Sequence, residues 1–436
     1  MYWDKDLETT NRQDIKKIQL AKLQNTVKNV YENVDMYRER FDALGLKPED
    51  IKTLEDLSKI PFTVKDDLRE NYPFGLFAVP QKEVVRVHAS SGTTGKPTVV
   101  GYTRNDLDMW SEIMARLVMA TGVSDDDVAQ VAFGYGLFTG AFGLHYALEK
   151  IGCTVVPTSS GNTEKQIMLM KDFGTTVLIS TPSYALYLAE TMYNMGIDPR
   201  KDLKLRVGLF GGEACSDAMA KKLEDALGIL ATQNYGLSEI IGPGVSGECA
   251  CQCGLHINED HFIAEIINPA TGEVLPEGEE GELVLTAVSK EALPILRYRT
   301  KDITRLLVER CECGRTMARM AKVTGRTDDM MVIRGVNVFP SQIEMVLLSM
   351  EDVGPHYEII VTREKWLDRL EIKVEITNHE LLESYHRLEE LQDKIRAKLR
   401  VILSIDAKVT LVEPQTLKRF EGKAKRVTDL RNISEV

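Results

Sequence analysis

Between residue 84 and about residue 290, short β-branched runs alternate with amphipathic stretches, and this alternation constrains the fold more than any other feature. "QVAFGYG", "TVVPTS", "TVLIST" and "RVGLFGGE" read as strands, whereas "EKQIMLMKDFG" and "SDAMAKKLEDALG" place apolar residues at helical spacing. Strands joined through helices form βαβ units and hence a mainly parallel sheet. "INPATGEVLPEGEEGELVLTAV" sets turn residues between alternating runs and predicts antiparallel hairpins. The first sixty residues read as helices, because "DIKKIQLAKLQNTVKNVYENV" repeats apolar positions every three or four residues and so has one face to bury.

The pattern changes near residue 327. Beyond it, "HYEIIVTREKWLDRLEIKVEI" predicts two strands around a charged turn, "ELLESYHRLEELQDKIRAKLRVIL" a long amphipathic helix, and "AKVTLVEP" a further strand. About a hundred residues suffice for a small domain. The expected fold is α/β: a large N-terminal domain, 1–327, with mainly parallel sheets plus antiparallel hairpins, and a small α+β C-terminal domain, 328–436.

The net charge of −12 argues against non-specific nucleic-acid binding, which needs a basic surface. The N-terminus "MYWDKDLETTNRQDIKK" is charged and holds no apolar signal core, and no run approaches a membrane span. A soluble, cytoplasmic protein is expected, with neither a nucleic acid nor a membrane as partner.

"HASSGTTGKPTVVGYT", residues 88–103, packs hydroxyls and glycines around Lys96. The nucleoside-triphosphate P-loop needs G-x-x-x-x-G-K-[ST] opening a helix. Here Gly92 and Gly95 are three apart, Pro97 takes the hydroxyl position, and the strand-like "TVVGYT" follows. A P-loop kinase is thereby disfavoured. What remains is a loop, 90–98, whose Ser90, Ser91, Thr93 and Thr94 carry hydroxyls and whose glycines can take positive φ. A solvated hairpin turn would look the same.

Three more stretches follow in order: "YGLSE" (235–239), "YRTKD" (298–302) and "GKAKRV" (422–427). With "SSGTTGKPT" they resemble the adenylate-forming superfamily of acyl-CoA synthetases, peptide-synthetase adenylation domains and luciferases. "FGYGLFTGAFGLHYALE" (133–149) and "TGRTDDMMVIRGVNVFPSQIE" (324–344) bring the chain closest to the phenylacetate–coenzyme A ligase family, over roughly residues 20 to 430.

That resemblance implies ATP-dependent ligation of an aryl acid, phenylacetate preferred, to coenzyme A through an acyl-adenylate, releasing AMP and pyrophosphate. Ser90, Ser91, Gly92, Thr93, Thr94, Gly95 and Lys96 would hold the β- and γ-phosphates. Gly212, Glu213 and Ala214 of "FGGEA" would line the adenine pocket, although a strand–helix turn has the same composition. In "NYGLSE", Asn234, Tyr235 and Gly236 would meet the nucleotide, Tyr235 offering adenine a flat face. Ser238 would approach the α-phosphate and Glu239 bind magnesium, which favours hard oxygen ligands.

Asp302 would accept from both ribose hydroxyls, although the family commonly has glycine where Lys301 stands. Lys423 would be the mobile lysine that offsets charge between the carboxylate and the α-phosphate. Asp328 would be the hinge of a lid domain, with Arg326 reaching the nucleotide. Tyr135, Gly136, Phe138 and Phe142 are candidates for the acid pocket, with core packing as the competing reading. A homodimer fits the family.

Five of the seven cysteines sit in two groups, Cys249, Cys251 and Cys253 in "ECACQCGLH" and Cys311 and Cys313 in "CECGR". Such bunching in a cytosolic chain points to metal, and structural zinc sites draw four ligands as two short-range pairs. Cys311 and Cys313 make one pair. Cys249 with His256 is the favoured second, Cys253 the runner-up, and five reduced thiols the plain alternative. Two other functions stay open: a ligase for a related aromatic or indolyl acid, and a non-catalytic, zinc-stabilised nucleotide-binding scaffold.

Overall fold

The structure is a computed structural model that describes residues 1–90, 97–307, 309–364, 366–377, 381 and 384–431. Ser91, Gly92, Thr93, Thr94, Gly95 and Lys96 lie outside the described residues. The four strand-like runs form strands Val128–Val131, Thr154–Val156, Val177–Ser180 and Val207–Phe210. They pair in parallel with one another and with Leu230–Leu237. Beyond that strand the sheet turns antiparallel, adding Gly242–Glu248, Leu255–Ile257, Arg319–Met320 and Leu306–Leu307. It is therefore a mixed sheet of nine strands among the described residues.

The crossover helices start and stop as their sequences dictate. Thr181 caps Pro182–Asn194, with proline in the first turn, and Ser216 caps Asp217–Leu227, which ends at Gly228 with φ +71°. Asp106 closes a capping box with Thr103 on the helix Arg104–Ala120. The same carboxylate accepts from the backbone N–H groups of Glu291 (2.7 Å) and Ala292 (3.0 Å), anchoring a distant loop to that helix. The helix Gly140–Ile151 crosses this one at Gly143, where a Cβ would stand 2.6 Å from the Trp110 ring.

A second, antiparallel sheet joins Phe262–Ile267, Gly281–Ala287, Tyr298–Thr304 and Gly325–Arg326. Its register sets Asp302 opposite Arg326. The helices Arg12–Asn33 and Asp35–Ala43 bury Leu23, Val27, Val30, Tyr37 and Phe41 into the same apolar core as these sheets.

A separate core begins at Met331 and includes Ile343, Val361, Ile372 and Leu399. Around it the antiparallel strands Val353–Glu364 and Leu367–Ile376 are flanked in parallel by Val427–Asp429 and Lys408–Val412. The helices Pro340–Leu348 and Tyr385–Leu403 complete it. No helix among the described residues is long and apolar enough to cross a membrane.

Candidate active site

The site lies where the parallel strands end. The strand Val207–Phe210 runs into Gly211, Gly212 and Glu213, and Gly212 has φ +79°. The neighbouring strand Leu230–Leu237 extends further and carries Asn234, Tyr235 and Gly236 past that turn. Asn234 Nδ2 donates to the Phe210 carbonyl at 3.0 Å, fixing the two strand ends together. Gly236 is required by close approach, since a Cβ there would meet the Gly242 carbonyl oxygen at 1.9 Å. Ser238 Oγ sits 3.1 Å from Thr139 Oγ1.

Glu239 follows and is 6% exposed. Tyr298 Oη donates to its Oε1 at 3.4 Å, and Lys65 Nζ stands 3.7 Å from the same oxygen. Contacts of that length leave lone pairs for a hard cation, so this carboxylate fits magnesium. Lys290, buried at 3% exposure, places its Nζ 4.2 Å from the Tyr102 ring centroid. Burial pushes its ammonium down to about 8, against the pull of Asp106 and Glu239.

Asp302 lies opposite this group at 5% exposure. Its Oδ2 accepts from Tyr235 Oη at 2.6 Å and its Oδ1 from Arg326 Nη1 at 2.7 Å. Burial raises its pKa, while Arg326 and the Tyr235 hydrogen bond oppose the rise. Each oxygen keeps a second lone pair. Tyr235 thus has its hydroxyl anchored, which sequence alone did not reveal. Arg326 also donates from Nε to Asp328 Oδ1 at 2.9 Å, linking the segment at 326–328 to the pocket carboxylate. Lys301 has φ +69°, a left-handed backbone conformation that glycine adopts without strain.

Lys423 is exposed, in a loop laid across the Glu213 turn. Thr181 Oγ1 donates to the Gly422 carbonyl at 3.3 Å, and the Ala424 N–H donates to Glu213 Oε1. Ser183 N–H donates to the other Glu213 oxygen at 3.2 Å. Glu213 therefore receives the lysine loop. Ala214 is exposed beside it. The loop is held from below by Arg419, which donates to Glu190 at 2.7 Å and to Glu375 at 2.7 and 2.8 Å.

The segment after Val131 forms an aromatic wall. Tyr135 and Phe142 meet edge-on with centroids 5.2 Å apart, and His88 approaches Phe142 at 5.5 Å. Tyr135 Oη and His145 Nδ1 are 3.0 Å apart. Gly136 has φ +131°, and Phe138 is 49% exposed, outside this wall of ring contacts. At the loop's edge, Ser90 closes the hairpin Arg86–Ala89/Val99–Tyr102: its Oγ accepts from Thr98 N–H at 3.1 Å and Thr98 Oγ1 at 2.7 Å.

Far from these groups in sequence, Cys249, His256, Cys311 and Cys313 bring their ligand atoms within 4.8 Å of one another.

Two family models match the chain: AMP-binding enzyme over residues 12–289 and AMP-binding enzyme C-terminal domain over residues 335–431. Phenylacetate-coenzyme A ligase of Pseudomonas putida is 50% identical, with all of both chains covered. The proteins of that name from Thermus thermophilus and Escherichia coli are each 49% identical, covering 99% and 98% of this chain and 100% and 97% of theirs. The chain belongs to the phenylacetate-coenzyme A ligase family of AMP-binding enzymes.

The ligase also overlays solved structures of 2-hydroxyisobutyryl-CoA ligase at 28–29% identity, covering 99% of this chain and 93% of theirs. The TM-score is 0.93 against the postadenylation state with 2-HIB-AMP, and 0.73 against the thioesterification state with CoA. The ligase is thus in the arrangement of the first of those states. The contacts of Glu190, Glu213 and Thr181 with the C-terminal part belong to that arrangement.

Three residues of the ligase's site escaped the sequence reading. Lys65 reaches Glu239 because Thr63 pairs with the 297–299 backbone, donating to Arg297 O at 3.0 Å and accepting from Arg299 N–H at 2.9 Å. Lys290 arrives through the loop that Asp106 anchors. Arg419 stands four residues before Lys423, and the four carboxylate oxygens it donates to belong to Glu190 and Glu375, remote in sequence. Only basic character in an otherwise acidic chain hinted at any of them.

Proposed function

We propose that the ligase joins phenylacetate to coenzyme A, in the cytoplasm and as a homodimer. The observation that carries this reading is half-identity, over essentially the whole chain, to phenylacetate-coenzyme A ligases. A carboxylate oxygen attacks the α-phosphorus of ATP, the α–β phosphoanhydride bond breaks, and pyrophosphate leaves. The coenzyme A sulfur then attacks the acyl carbon, the acyl–phosphate bond breaks, AMP leaves, and the thiol proton passes to solvent.

Both halves develop charge on phosphate oxygens, so fixed donors and cations supply most of the rate. Asp302 takes the ribose hydroxyls on its free lone pairs. Tyr235, its hydroxyl tied to Asp302, stacks on the adenine that Gly212, Glu213 and Ala214 border, with Asn234 and Gly236 behind it. Ser238 addresses the α-phosphate. The loop from Ser90 to Lys96 grips the departing phosphates. Glu239 would hold magnesium, which supplies charge neutralisation at phosphate when bound. Lys423 brings its ammonium to the attacking carboxylate. Asp328 is the hinge about which the part beyond it, 328–436, swings between the half-reactions, and Arg326 reaches the nucleotide. Tyr135, Gly136, Phe138 and Phe142 border the acid.

A panel of acids assayed by AMP release tests the substrate. Phenylacetate should exceed benzoate, one methylene shorter, by about 10-fold or more in kcat/KM. A higher value for an indolyl or aliphatic acid would replace phenylacetate in this reading.

A further inference from the structure

We propose that Cys249, His256, Cys311 and Cys313 form a structural zinc site, separate from the adenylation chemistry. Cys249 is fully buried, His256 is 2% exposed and Cys311 7% exposed. Cys249 Sγ lies 3.6 Å from Cys311 Sγ, and Cys313 Sγ lies 3.4 Å from His256 Nε2. In a tetrahedron with metal–sulfur bonds of about 2.3 Å, neighbouring sulfurs stand about 3.8 Å apart. The observed spacings are close to that edge, and all four donor atoms lie within 4.8 Å of one another. The thiols are free, with none paired in a disulfide.

The chemistry of the donors selects the metal. Three soft sulfurs and one imidazole suit zinc, and a set of four, three of them buried, leaves no open position for catalysis. Without a metal, these buried groups would have little beyond weak S–H hydrogen bonds to offset their desolvation. Cys251 is exposed and falls outside the group. Cys253 approaches Cys311 to 3.2 Å, yet is not among the four donors that come together.

The fold shows what the metal would fasten. Cys249 directly follows Gly242–Glu248, the strand paired with the one that carries Asn234 and Tyr235. His256 lies on Leu255–Ile257, between that strand and Arg319–Met320. Cys311 and Cys313 precede Arg319–Met320 in the chain. The Cys313 carbonyl accepts from Tyr2 Oη at 2.7 Å, and Arg315 Nε donates to Glu8 at 2.6 Å, so the chain's first turn is drawn to the same place. The site would clasp three adjacent strands and the N-terminal segment at the sheet edge behind the nucleotide pocket.

Metal analysis of the purified full chain should find about one zinc per chain, surviving dialysis. Cobalt in its place should give the visible bands of tetrahedral sulfur-rich coordination. Cys313→Ser and His256→Ala should weaken metal binding by about 10-fold or more, while Cys251→Ser and Cys253→Ser keep it. If the ligand variants do not fold, the cobalt spectrum of the unaltered chain decides. Less than half an equivalent of zinc together with no cobalt bands would overturn the site. Loss of metal in Cys253→Ser with retention in His256→Ala would overturn the ligand set. None of these readouts depends on which acid the enzyme activates.

Discussion

Lys423→Ala is expected to slow acyl-adenylate formation by about 100-fold or more, the loss typical when one positioned charge-stabilising group is removed from a transition state. The reason is placement. The backbone on either side of Lys423 is held, Gly422 by Thr181 and Ala424 by Glu213, so the side chain is delivered to the strand ends and not left to diffuse. Lys425, two residues on, is also exposed, but the Arg426 carbonyl that follows it accepts from Ile359 N–H within the C-terminal sheet, away from the strand ends, and Lys425→Ala should lose less than about 3-fold. Thioester formation from preformed adenylate should change little in Lys423→Ala, because in the proposed reading the part beyond Asp328 swings between the half-reactions and carries Lys423 away from the phosphate. Stopped-flow measurement of the two half-reactions separates these effects. Equal losses in both would mean that Lys423 acts through the fold.

The second large effect is expected at Asp302. Asp302→Ala should cut kcat/KM for ATP by about 100-fold, since hydrogen bonds to a charged group contribute about 1.5–3 kcal/mol each and its proposed role is to accept from two ribose hydroxyls. The variant also strips the partner from Tyr235 Oη and one of the partners from Arg326, so the adenine platform loosens with the ribose clamp. Arg326 keeps Asp328, which prevents a fully unpaired guanidinium. The KM for the acid should stay within about 3-fold. A rise confined to the acid, with ATP unaffected, would remove Asp302 from the ribose.

Much of the fold was legible in the sequence because its signals are local. A short β-branched run marks Val177–Ser180 and a period-3.6 pattern marks Tyr385–Leu403 without knowledge of neighbours. The antiparallel half of the central sheet was not foreseen, since Gly242–Glu248 is rich in glycine and polar residues and Leu255–Ile257 is only three residues long.

In the site, the motifs pointed to Tyr235, Glu239 and Asp302, but not to their mutual contacts. That Asp302 shares Tyr235 and Arg326 depends on the register of Tyr298–Thr304 against Gly325–Arg326, which no spacing encodes. Lys65 is remote for the same reason. Glu213 read as a pocket lining, yet its carboxylate holds the lysine loop. Spacing left Cys253 and His256 as rivals, and folding brought His256 within reach of Cys313.

Adenylation itself is tested most directly by pyrophosphate exchange: labelled pyrophosphate incubated with the enzyme, ATP, magnesium and phenylacetate, with coenzyme A left out. Label should enter ATP at a rate that depends on phenylacetate and falls with Lys423→Ala. ADP release, or exchange that begins only once coenzyme A is added, would contradict an acyl-adenylate formed before the thiol arrives.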